Sequence, residues 1–268
     1  MSGDPFLWLL LVRMVLTAAV IAAASVAVER SGPVIGALIA TLPVSAGPAL
    51  VFIAMDHGAD FLSAATLSAL PASAATVVFV IVYVAVARRH NLAASLCWTY
   101  AAWATTQAII AGIDWSFAGA VALNGVLFLL GFGILRVMPT DAPMPRAASR
   151  RFDVLLRAAA VMTVVAVVTV AARWIGPGAA GIAALVPAAM TTLIVLLHAR
   201  VGGPAAANVI ARTLPGMVGF TTGLAAVHVA AVPLGAAAAL GLGLSVCVGW
   251  NLVLLAGHLR TGRRAAGG

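Results

Sequence analysis

Charge is scarce in this chain of 268 residues: charged side chains make up 8% of it, and lysine is absent altogether. A soluble domain carries nearer ~25% charged residues, so there is too little polar surface here to cover a water-facing globule. Acidic residues are the scarcest class. All seven, Asp4, Glu29, Asp56, Asp60, Asp114, Asp141 and Asp153, fall at the ends of apolar runs or between them, which leaves no carboxylate in the middle of any run. Cysteine is limited to Cys97 and Cys247, both inside apolar runs and away from any second Cys or clustered His. A disulfide framework is therefore excluded and buried free thiols are expected. No H-E-x-x-H or G-x-S-x-G occurs and no His/Cys cluster has metal-ligand spacing; the expectation is a protein without metal, cofactor or enzymatic chemistry. The N-terminus carries Asp4 where a cleavable signal has a basic region, so the first apolar run is expected to remain as a helix.

What the chain has in abundance is apolar surface, with 63% hydrophobic residues and a mean hydropathy of +1.14. The runs are long enough to cross a hydrocarbon core of roughly 30 Å as helices of about 20 residues, and none alternates in polarity like a barrel strand. The fold class is all-α, a polytopic membrane helix bundle. Nine spans are expected, at about 6–28, 33–55, 62–87, 92–112, 116–136, 154–174, 177–199, 205–229 and 232–257. Nine spans put the termini on opposite sides. With the N-terminus outside, Arg30, Arg88, Arg89, Arg136, Arg146, Arg150, Arg151, Arg200, Arg260, Arg263 and Arg264 fall in cytoplasmic segments, against Arg173 alone outside. The net charge of +8 is then a signal of loop placement rather than of a nucleic-acid partner, and the C-terminus is cytoplasmic.

A shift of 144 residues lays Gly32-Pro33 on Gly176-Pro177, Pro43 on Pro187, Gly58 on Gly202, Leu70-Pro71 on Leu214-Pro215 and Arg13 on Arg157, without a gap. Prolines, glycines and a lone arginine inside apolar runs do not align by alanine-rich accident, and the pattern reads as a tandem duplication. The organisation is a first four-helix repeat over 1–114, a linking helix and cytoplasmic linker over 115–152 with prolines at 139, 143 and 145, and a second four-helix repeat over 153–268. One linking span between the copies makes the second enter the membrane from the opposite face, an inverted repeat of the kind that builds many transporters. Pro43, Pro71, Pro187 and Pro215 each fall about ten residues into a span, near mid-depth at 1.5 Å per residue, where each frees a backbone carbonyl.

An embedded basic residue, then Gly36-x-x-x-x-x-x-Pro43, an aliphatic half-helix, a short polar turn ending in Gly58 and an Ala-rich third span resemble the GlpM family, over about residues 8–112 and again over 152–257. The resemblance implies a small bacterial inner-membrane protein of the kind linked to alginate production, here as a four plus one plus four fusion. It brings no catalytic residues. The second copy departs where Asp56 and His57 become Arg200 and Val201.

The embedded charges are all basic. Arg212 falls about seven residues into the eighth span and three before Pro215; such a charge needs freed carbonyls or a bound anion as its acceptor. Arg157 reads as an interfacial anchor, and Arg13 either reaches the outer surface or faces inward. His198 and His228, at opposite ends of the seventh and eighth spans, are the candidates for proton coupling, against the plainer role of interfacial hydrogen-bonders. Tyr100, Trp103 and Gln107 share one face of the fourth span, and Gln107 and Asn251 are repeat mates that either line a substrate path or hold helices together. The leading expectation is a secondary carrier or flippase in the bilayer for a small anionic molecule or an anionic lipid, with Arg212, Arg13, the four prolines, Gln107 and Asn251 at its centre. The alternatives are a passive channel, or a non-transporting partner subunit of an envelope polysaccharide or lipid pathway.

Overall fold

Long apolar runs satisfy their backbone polar groups internally only as helices, and the computed structural model, which describes residues 8–9, 11–19, 46–138 and 151–266, has no strand among those residues. Its helices are α1 (11–19), α2 (Ala46–Val86), α3 (Leu92–Ala111), α4 (Phe117–Val137), α5 (Arg151–Trp174), α6 (Pro177–Ala184), α7 (Ala188–Val201), α8 (Gly203–Ala211), α9 (Leu214–Leu234) and α10 (Ala236–Ala266). Among the described residues, five stretches are long and apolar enough to cross a membrane: Ala46–Val86, Phe117–Val137, Pro177–Val201, Leu214–Leu234 and Ala236–Arg260. The Trp, Tyr, Thr and Gln residues of α3 keep it less apolar than these. Gly32-Pro33, Gly36, Pro43 and the 139–150 linker lie outside the described residues, as does the side chain of Arg157.

Local chemistry sets the boundaries. Asn91 caps α3, its side chain accepting from the Ala94 amide at 2.9 Å, and Ser116 caps α4 in the same way from Gly119 at 3.1 Å. Elsewhere glycine does the work. Gly58, Gly176, Gly202 and Gly235 are the described residues with positive φ, and each directly precedes a helical segment. Gly58 (φ 79°, ψ −167°) interrupts α2, and its repeat mate Gly202 (φ 81°, ψ 164°) separates α7 from α8. The expected polar loop at 56–61 thus contracts to a single residue in a conformation that side chains other than glycine's do not tolerate.

The part of α2 beyond Gly58 is the axis of the bundle. Of its most apolar window 72% is buried, against 22% for α4 and α10, and it packs against α3, α4, α6, α8 and α9. Gly181 brings α6 onto the backbone at Ala65 and Ala69, and Gly203 brings α8 onto the carbonyl of Ala87. Against α8 and α9 the direction is antiparallel: Ser63 meets His228, Ser73 meets Thr221, and Ala87 meets Gly203. The apolar interior falls into two clusters. One holds Ala49 to Ala72 of α2 with parts of α5, α6 and the end of α9; the other holds Val77 to Ala87 with Phe128, α7, α8 and the start of α9. Between them lies a polar layer. The outside of the bundle carries large apolar side chains such as Met55, Leu129, Ile175 and Val253, as a lipid-facing surface requires.

Candidate functional site

The layer between the two apolar clusters is built from Ser73 of α2, Asn124 of α4 and Thr221 of α9, all buried. Asn124 donates Nδ2 to the carbonyls of Leu70 (2.7 Å) and Ala120 (2.9 Å), while its Oδ1 lies 2.7 Å from Ser73 Oγ. Ser73 Oγ also lies 2.7 Å from the Leu70 carbonyl and accepts from Thr221 Oγ1 at 3.2 Å. In an apolar environment a satisfied network of this kind ties helices together. Asn124, the single strongly polar side chain within α4 before Arg136, is the sequence signal that marks it.

The broken span α6–α7 approaches this layer from one side. It runs in the same direction as α2, with Gly181 against Ala65 and Ala69 and His198 Nδ1 3.1 Å from Tyr83 Oη. That register carries the break at Leu185 to Pro187 to about the level of Ala72. Pro187 is the N-cap of α7 and offers no side-chain hydrogen bond, so amides of the first turn are left without a capping side chain. The fourth expected span, α3, comes from the other direction. Tyr100 sets its ring edge on Phe79 at 5.4 Å and on Trp103 at 6.1 Å, and its hydroxyl lies 2.6 Å from Thr191 Oγ1 in the first turn of α7. Thr191 donates in turn to the Pro187 carbonyl at 2.7 Å. Trp103 and Gln107 follow Tyr100 along α3, toward the level of Ala72 on antiparallel α2. Gln107 is 7% exposed, and its Oε1 and Nε2, like Trp103 Nε1, are buried with no hydrogen-bond partner. The shared face of Tyr100, Trp103 and Gln107 therefore turns inward.

The arginines behave differently from expectation. Arg13 is buried, but its guanidinium makes a two-pronged ion pair with the carboxylate of Asp56 and lies over the Phe52 ring at 5.2 Å. Its charge is compensated by a carboxylate on another helix, which a search along its own helix misses. Both residues fall toward the outer ends of their spans in the arginine-based topology, and that shared depth was the available signal. Arg212 is exposed at the C-cap of α8, because the eighth span is interrupted there and resumes at Leu214. The prolines differ among themselves too. Pro71 is buried inside continuous α2, whereas Pro187 and Pro215 stand at the starts of α7 and α9, marking breaks instead of kinks. Pro43 lies outside the described residues.

His198 and His228 both hold α2, about 30 Å apart along it by helical rise. His228 Nδ1 lies 3.0 Å from Ser63 Oγ and 2.9 Å from the Ser63 carbonyl, with its ring stacked on Phe117. Asn251 is buried on α10 and engaged with a partner, unlike its mate Gln107; beside it, Trp250 donates Nε1 to the Pro215 carbonyl at 2.7 Å. Cys247 is buried, as expected, but Cys97 is exposed on the outer side of α3. Compared with protein-family models, with curated proteins and with solved structures, the chain finds no match.

Proposed function

We propose that the chain is a membrane carrier for a small anionic substrate or an anionic lipid head group, built as an inverted repeat of nine spans with the N-terminus outside and the C-terminus in the cytoplasm of a bacterial inner membrane. One observation carries the reading. The part of α2 beyond Gly58 and the α8–α9 pair occupy matching positions in the repeat, begin after matching positive-φ glycines, and run antiparallel across the polar layer. Two copies of one unit whose equivalent helices are antiparallel are related by an axis perpendicular to those helices, which lies in the plane of any membrane that both cross. Transporters of this class bind substrate near the midplane beside interrupted helices, and the break at Leu185 to Pro187 supplies such an interruption. The satisfied network of Ser73, Asn124 and Thr221 then serves as the pivot on which one repeat rocks against the other.

The test is transport itself. Purified protein in proteoliposomes should drive saturable counterflow of small radiolabelled organic anions, and a dithionite assay with fluorescent phospholipid separates a flippase from a carrier of soluble substrates. Flux that never saturates points to a passive channel. The complete satisfaction of the Ser73, Asn124 and Thr221 layer favours a second reading, a non-transporting partner subunit; absence of both counterflow and lipid movement would select it.

A further inference from the structure

Two buried polar groups on α3 have nothing to bond. The Gln107 amide is 7% exposed with both polar atoms unpartnered, and Trp103 Nε1 is unpartnered one turn before it. An unmet buried donor or acceptor is costly, so a side chain kept in that state in the interior marks a place where a ligand can complete the bonding. The groups brought to this level are mostly donors: Trp103 Nε1–H and the Gln107 amide N–H groups, with the first turn of α7, which no side chain caps and in which the Ala188 and Thr191 amides already donate to the Val186 and Pro187 carbonyls. The Tyr100 and Thr191 hydroxyls are not free to donate, because Thr191 donates to the Pro187 carbonyl and Tyr100 to Thr191. No Arg lies on either contributing face, which disfavours a doubly charged phosphate. A singly charged carboxylate is within reach of neutral donors and a helix N-terminus. The remaining walls are the rings of Phe79, Tyr100 and Trp103, suited to an apolar body.

We propose that a small organic acid seats between α3 and the start of α7, with its carboxylate on Trp103 Nε1 and Gln107 and its apolar body against the aromatic rings. The transport role of this site rests on the carrier reading above; the binding itself does not. The probe is benzoate, titrated calorimetrically into the detergent-purified full chain, with benzyl alcohol as the uncharged control. Benzoate should bind at least about tenfold more tightly than the alcohol. Trp103→Phe keeps an aromatic ring and deletes the N–H, and Gln107→Leu deletes the amide; each should weaken benzoate by about tenfold. Gln107→Leu should not lower the thermal midpoint, since its amide has no partner to lose, whereas Trp103→Phe gives up some packing on Tyr100. The site is overturned if benzoate fails to bind, binds no better than the alcohol, or binds both variants undiminished. Benzoate binding that both variants weaken, without counterflow in proteoliposomes, upholds the site and removes the carrier.

Discussion

Gly58 and Gly202, 144 residues apart, hold nearly the same backbone conformation, φ 79° with ψ −167° and φ 81° with ψ 164°, each immediately before a helical segment, and the two segments pack against each other. Space does not demand glycine at either place: nothing lies within 4 Å of a Cβ built on Gly58, and the nearest atom to one on Gly202 is Pro204 Cδ at 4.0 Å. The demand is conformational. Gly58→Ala and Gly202→Ala should each cost about 1–3 kcal/mol, by similar amounts, in thermal unfolding of the detergent-purified protein. A loss at one position and none at the other would break the equivalence.

Gly181 and Gly203 are needed for a different reason. A Cβ would lie 2.0 Å from the Ala65 carbonyl at Gly181 and 1.7 Å from the Ala87 carbonyl at Gly203, and a backbone atom cannot swing aside. Alanine at either site should force α6 or α8 off α2, costing at least about 1–3 kcal/mol by overpacking, read as a lower thermal midpoint and loss of monodispersity in size-exclusion chromatography. Gly133→Ala on α4, with nothing within 4 Å, is the matched control and should be neutral or stabilising by up to about 1 kcal/mol.

Breaking the ion pair of Arg13 and Asp56 should hurt more than deleting it. Asp56→Asn leaves a buried guanidinium without its counter-charge, and because the Asp56 side chain remains 30% exposed the cost is about 1–3 kcal/mol, below that of a fully enclosed pair. Arg13→Leu combined with Asp56→Leu should be less destabilised than the two single changes summed. Additive losses would show that the two side chains act independently.

The class of fold was legible because it depends on composition and run length, which no tertiary contact alters. The equivalence of Gly58 and Gly202 was legible because the 144-residue spacing of prolines and glycines does not depend on the alanines around them. Within the site, the face shared by Tyr100, Trp103 and Gln107 follows from helical period alone. Arg212 and Asp56 escaped for a common reason. Hydropathy along one run does not register that α8 ends one residue before Arg212, nor that Asp56 at the end of one span reaches Arg13 on another.

The central claim is that the two equivalent helices beginning after Gly58 and Gly202 cross the membrane in opposite directions. Asp60 and Pro204 are repeat mates, both exposed, two residues beyond those glycines. With Cys97 and Cys247 replaced by Ser, single cysteines at Asp60→Cys and Pro204→Cys can be labelled in intact cells by a membrane-impermeant maleimide. The account predicts labelling of the first from outside, and of the second only after the cells are permeabilised; labelling of both from the same side would contradict it.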